Sequence, residues 1–177
     1  METSIDSTGG AKQTSAFFEF DPTTLAAWAA ARKMPAFVTK QIMEWVYTKG
    51  VIAPAQMTNL SKLNRERLEQ EMIFEQGRVE AEMSASDGTQ KLLLAWPDSS
   101  KRATSQLPIV NNPSTDRTTE CVMIPNPERK TACVSSQVGC PVGCKFCASG
   151  IGGLEGNLTR GRIVEQAWRL EVPPCSA

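Results

Sequence analysis

Four of the six cysteines fall between residues 133 and 147, in the run C-V-S-S-Q-V-G-C-P-V-G-C-K-F-C. The last three, Cys140, Cys144 and Cys147, are spaced C-x3-C-x2-C. That spacing lets one loop wrap three thiolates around a single metal centre and leaves one coordination position free. Soft sulfur donors on one loop suit a [4Fe–4S] cluster with one iron unligated by protein. An open iron of that kind can take a small molecule through its amine and carboxylate. Zinc is the other reading, with Cys121, Cys133 or Cys175 as fourth ligand. It ranks lower, because zinc knuckles usually bring C-x2-C pairs together from two loops.

The composition narrows the remaining chemistry. There is no histidine, which removes Ser-His and Cys-His catalysis and the usual neutral-pH general base. Acid–base work falls to carboxylates, cysteines or a cofactor. The N-terminus has no apolar stretch of a secretory signal, and no window approaches the ~20 apolar residues of a membrane span. A cytoplasmic protein with no membrane partner is expected, and in a reducing compartment the cysteines read as metal-binding or redox groups rather than disulfides. The formal net charge is zero, so overall charge points to no nucleic acid. Locally, Arg32, Lys33, Lys40, Lys49, Lys62, Arg65 and Arg67 outnumber Glu44 and Glu66. That surplus reads first as a solvated helix surface and second as an RNA-facing patch.

Several elements must position the loop. Residues 1–20 read as a disordered lead-in ending in Phe17, Phe18 and Phe20. A helical accessory domain follows over 21–76. Asp21-Pro22 starts its first helix, and a second spans about 36–49, with Val38, Ile42, Trp45 and Val46 on one face. Pro54 and Ser61 start two more, the last carrying Leu63, Leu68 and Met72. From Arg78 the period becomes two, giving a β-hairpin turned at Asp87-Gly88 and then a long loop, together 77–118. Residues 119–177 hold strands at 120–124 and 131–135, the cysteine loop, a flexible Gly150–Gly153 segment and a helix after Asn157-Leu158-Thr159.

An aromatic, Phe146, before the last cysteine of C-x3-C-x2-C resembles the radical S-adenosylmethionine (SAM) signature. The wider block, continued by A-S-G, N-L-T and I-V-E-Q, resembles the RlmN/Cfr-type adenine-C2 RNA methyltransferases. K-Q-I-M-E-W-V-Y-T-K-G and M-T-N-L-S-K-L are similar to the accessory domain of that family, so the resemblance runs over about residues 25–170. It implies an α+β to α/β chain: a helical accessory subdomain, a small antiparallel β region, and the first βα unit of a radical SAM partial barrel. It also implies a [4Fe–4S] cluster on Cys140, Cys144 and Cys147, with SAM on the open iron beside Phe146. The substrates implied are 23S rRNA and tRNA, with a flavodoxin-type electron donor and a monomeric enzyme.

In this family one SAM methylates a C-terminal cysteine, and a radical made from a second SAM activates that methyl group for addition to adenine C2. Cys133 matches the second catalytic cysteine, whose implied role is to break the enzyme–RNA crosslink by forming a disulfide. Glu120 matches the proton acceptor. Cys121 and Cys175 match nothing.

There are departures. Gly153-Leu154-Glu155-Gly156-Asn157 lacks the aromatic and arginine of the family's G-F-x-R-N, and the 97–118 loop is longer than usual. A barrel of about six βα units needs roughly 30 residues for each, so the expectation is a fragment without the methyl-carrying cysteine and without activity. A lone parallel strand and helix would also leave Val134, Ile163, Val164 and Trp168 facing water. Two alternatives stand beside this reading: a fragment of another radical SAM enzyme, or a non-catalytic zinc- or cluster-stabilised RNA-binding module.

Overall fold

The computed structural model describes residues 14–97 and 117–171. Most of the expected long loop, Cys175 and the start of the lead-in lie outside the described residues.

The first layer is helical. Helix α1 (Pro22–Ala31) starts on a reciprocal cap. The Thr24 amide donates to the Asp21 carboxylate at 2.8 Å, and the Asp21 amide donates to Thr24 Oγ1 at 2.9 Å. The Thr24 amide is also the main reason the Asp21 carboxyl sits below its ordinary range. Helix α2 (Phe37–Met43) runs into a π-helical turn, Glu44–Thr48, together covering most of the single helix expected over 36–49. Pro54 opens only a 3₁₀ turn, Pro54–Gln56, because Met57 leaves helical geometry to enter the core, where it is fully buried.

Helix α3 (Lys62–Glu71) is capped by the Ser61 side chain. Leu68 and Met72 are buried, but Leu63 is 56% exposed. Positions 63 and 68 lie about 140° apart around a helix, so one stripe cannot hold both. Residues 14–20 form part of this layer. Strand β1 (Ser15–Ala16) pairs in parallel with β2 (Met72–Ile73). Phe17 and Phe18 are buried among Leu25, Val38, Ile42, Leu68 and Phe74.

The second layer is a four-stranded sheet in the order β3 (Arg78–Ser84), β4 (Gln90–Trp96), β5 (Arg117–Pro125), β6 (Lys130–Cys133), antiparallel throughout. Leu92, Leu94 and Trp96 on β4 and Thr119, Cys121 and Met123 on β5 alternate onto the buried face. Trp96 Nε1 donates to Thr119 Oγ1 at 2.8 Å, which satisfies the one polar atom of that indole. β6, expected to open a parallel barrel, instead closes a hairpin with β5. Among the described residues the only parallel pairing is β1 with β2.

Helix α5 (Arg160–Glu171) joins the two layers. Val164 and Trp168 pack on the helical core, and Trp168 Nε1 donates to the Val46 carbonyl at 2.8 Å. Ile163 and Leu170 pack with Val134 on the sheet core. The expected exposure of Val134, Ile163, Val164 and Trp168 is therefore corrected. The covering comes from the helical layer and the antiparallel sheet, so no neighbouring parallel strand is needed.

Candidate functional site

Between β6 and α5 the chain makes a short hairpin of β7 (Gln137–Gly139) and β8 (Leu154–Asn157). The cysteine loop is the excursion between these strands. Gly139 is the pinch point. Its φ is +76°, and a Cβ there would lie 2.0 Å from the Gly153 carbonyl oxygen, so only glycine fits. The Cys140 amide donates to that same oxygen at 3.0 Å. The segment read as flexible, Gly150–Gly153, thus carries the closing strand contact. Inside the excursion, the Cys147 amide donates to the Cys144 carbonyl at 3.1 Å, and the Gly150 amide to the Cys147 carbonyl at 3.0 Å. A short helix, α4 (Ala148–Ile151), follows the last cysteine.

Cys140, Cys144 and Cys147 are free and half-buried, whereas Val142 and Phe146 stand out, Phe146 with 93% of its surface exposed. Three thiols on one loop match the donor number and softness an iron–sulfur cluster needs. The expectation that the loop wraps its thiols around one centre is not met, however. Among the described residues no three Cys, Asp or Glu side chains converge as a metal site. Here the loop is held by backbone hydrogen bonds. Bringing three thiolates together opposes their mutual repulsion, and metal binding is what offsets that cost. The donor set fits an iron–sulfur cluster in kind and number, but its side chains do not converge in this structure.

The structure places Cys133 and Glu120 on one face of the sheet. Cys133, the last residue of β6, is exposed and pairs with Val122. Glu120, two residues along β5 from Val122, points to the same side, away from the buried Thr119 and Cys121. The two are diagonal cross-strand neighbours. Glu120 is held by Lys91 Nζ at 2.7 Å on the adjoining strand. Cys121 faces inward, and burial pushes its thiol up to about 11, so it is an inert core group.

Sequence reasoning missed the groups that hold this region. Glu165 on α5 is fully buried. It accepts from the amides of Gln76 and Gly77, both at 3.0 Å, and from Arg169 Nε at 3.0 Å. Arg169 reaches on to the Gly77 carbonyl at 2.7 Å and to Glu75 at 3.0 Å. Burial is the largest influence on the Glu165 carboxyl and raises its pKa. Gln166, also fully buried, bonds both backbone groups of Ser135: its Oε1 accepts from the amide at 2.9 Å, and its Nε2 donates to the carbonyl at 2.9 Å. The available signal was an α5 whose apolar residues spread around more than one face, enclosing these two polar ones.

The basic surplus on the helical layer is largely committed within the chain. Arg32 pairs with Glu71 at 2.6 Å and lies 4.0 Å from the centre of the Trp28 ring. Lys49 pairs with Glu44 at 3.3 Å and Lys62 with Glu66 at 3.9 Å. Arg65 and Arg67 donate to the carbonyls of Ala55 and Arg32. No helix among the described residues is long and apolar enough to cross a membrane.

A helical layer, an antiparallel sheet and a three-cysteine loop follow one another in this order, an arrangement shared with a solved radical SAM methyltransferase. A crystal structure of a radical SAM methyltransferase from Sphaerobacter thermophilus superposes with a TM-score of 0.73 at 31% identity, over 88% of this chain and 41% of that one. Residues 16–74 match the family model described as ribosomal RNA large subunit methyltransferase N-terminal domain. The dual-specificity RNA methyltransferase RlmN of Halorhodospira halophila is 38% identical over 146 residues, which is 82% of this chain and 36% of that protein. A probable RlmN of Parasynechococcus marenigrum is 40% identical over 144 residues, covering 80% of this chain and 37% of its own length. Residues 16–74 thus carry the RlmN-type N-terminal domain, and the chain spans about a third of the length of the curated RlmN relatives it matches.

Proposed function

We propose that this chain supplies the accessory domain, sheet and cysteine loop of a radical SAM enzyme that methylates C2 of adenosine in 23S rRNA and tRNA. The observation that supports this most is the C-x3-C-x2-C excursion, set between β7 and β8 in a fold that superposes on a radical SAM methyltransferase. Cys140, Cys144 and Cys147 would hold a [4Fe–4S] cluster, fed by a flavodoxin-type donor, which supplies reductive cleavage of SAM when bound.

The chain's other residues divide the remaining work. The exposed Phe146 is available to cover SAM at the mouth of the loop. Glu120, anchored by Lys91, takes the proton lost from C2. The Cys133 thiolate attacks the sulfur of the methyl-carrying cysteine. The sulfur–carbon bond breaks, its electron pair stays with the methylene carbon, and a proton completes the methyl group. Cys121 takes no part, because its thiol stays protonated.

The comparisons disfavour a separate RNA-binding module, and metal content tests the point. Anaerobic reconstitution of the purified chain should give iron and acid-labile sulfide in equal amounts, both lost in Cys144→Ser. Stoichiometric zinc without sulfide would reject the reading.

A further inference from the structure

The β5–β6 ladder ends at Cys133, and residues 134 and 135 run on outside it. We propose that Ser135 and Gln166 form a positioning pair that holds Cys133 on the Glu120 side of the sheet. The inference rests on the functional reading above and adds two residues to it.

The geometry is specific. Val122 faces Cys133 and Met123 faces Ala132, so the same register sets Glu120 opposite Ser135. The Ser135 hydroxyl donates to the Glu120 carbonyl at 2.8 Å, where a ladder hydrogen bond is missing. On its other side Ser135 meets the Gln166 amide, which gives it one acceptor and one donor, as a neighbouring strand would. A third bond, Gln166 Nε2 to the Arg162 carbonyl at 3.2 Å, fixes that amide on the helix. Ser135 therefore ties β5 at Glu120 to α5 at Gln166, midway between Cys133 and the start of β7.

The consequence follows from strand geometry. Side chains alternate with a period of two, so a one-residue slip would carry Cys133 to the core face and bring Val134 out. Val134 packs on the sheet core and opposes that slip from one side. Ser135 and Gln166 oppose it through the backbone. A completely buried glutamine whose amide is matched by backbone groups of Ser135 and Arg162 is costly to leave unmatched, which makes the clamp stiff.

The test reads register directly. In the full chain, with Cys140, Cys144, Cys147 and Cys175 replaced by serine, Val122→Cys is introduced opposite Cys133. The effective molarity of the 122–133 disulfide is then measured against glutathione. Ser135→Ala should lower it about threefold to tenfold, the size of one lost hydrogen bond. Ser135→Thr, which keeps the hydroxyl, should restore it to within about twofold, and Gln166→Ala should lower it at least as much as Ser135→Ala. Alkylation of Cys121 reports unfolding; if Gln166→Ala exposes it, the Ser135 variants decide alone. An unchanged effective molarity in Ser135→Ala with Cys121 still protected overturns the proposal. The readout requires neither cluster nor RNA, so its failure is separate from failure of the enzymatic reading.

Discussion

The helical layer and the cysteine loop are built on opposite principles. The layer buries Phe17, Phe18, Leu25, Ile42, Met57 and Leu68 almost completely and stacks Phe17 on Phe74 with ring centres 5.1 Å apart. The loop leaves Val142 and Phe146 exposed and relies on a few backbone hydrogen bonds and one glycine pinch. Stability is stored where there is no chemistry, and the reactive thiols sit on the segment with least packing. The lesson lies in α5, which joins the helical layer to the sheet through Trp168 and Glu165 and holds Ser135, just ahead of the β7–β8 hairpin that carries the loop, through Gln166.

The largest break in this comparison is a cavity in the helical core. Leu68→Ala should lower stability by about 2–5 kcal/mol in chemical denaturation, without changing the reactivity of the loop cysteines in the remaining folded fraction. Next comes the joint itself. Glu165→Ala strands the Gln76 and Gly77 amides and leaves Arg169 with only part of its counter-charge. It should cost about 3 kcal/mol and raise proteolytic cleavage near residue 76. Gly161→Ala acts at the same joint on a smaller scale. A Cβ there would lie 2.6 Å from Glu19 Cδ, the movable end of a flexible side chain, so the overpacking should cost at most about 1 kcal/mol, visible as a slightly lower Tm.

The pH response sharpens the contrast between two thiols one β-hairpin apart. The Cys121 thiol moves from an ordinary 9.0 to about 11 on folding, mainly through burial. The folded state keeps its proton longer than the unfolded state. Its contribution is therefore fully present below about pH 9 and is lost as pH rises through 11. Alkylation at mildly alkaline pH should mark Cys133 and spare Cys121. The smallest effect is expected at Lys91. Its pair with Glu120 is exposed, so Lys91→Ala should change stability by less than about 1 kcal/mol.

Much of this was legible in the residues. Asp21-Pro22, Ser61, the alternation from Arg78 and Asn157-Leu158-Thr159 each mark an element, because caps, turns and periodicity are local. C-x3-C-x2-C is equally local. Long-range pairings were not legible. Nothing in the neighbourhood of Ser15–Ala16 announces a partner at Met72–Ile73, so the approach to Phe17 and Phe18 read as a lead-in. The antiparallel return of β6 on β5 is a local hairpin through residues 126–129, at odds with the barrel strand that the resemblance implied there. Glu165 and Gln166 escaped notice because a charged and an amide side chain on a helix ordinarily face solvent. Only the fold shows that their partners are backbone groups of Gln76, Gly77 and Ser135.

The proposed chemistry depends on the loop's capacity to close around a cluster and leave one iron open. Electron paramagnetic resonance of the anaerobically reconstituted, reduced chain, recorded before and after SAM is added, tests this most directly. An iron–sulfur signal whose g-values shift on SAM addition, and which vanishes when Cys140, Cys144 or Cys147 is replaced by serine, is the predicted result. A signal indifferent to SAM, or one that survives loss of any of the three cysteines, would contradict it.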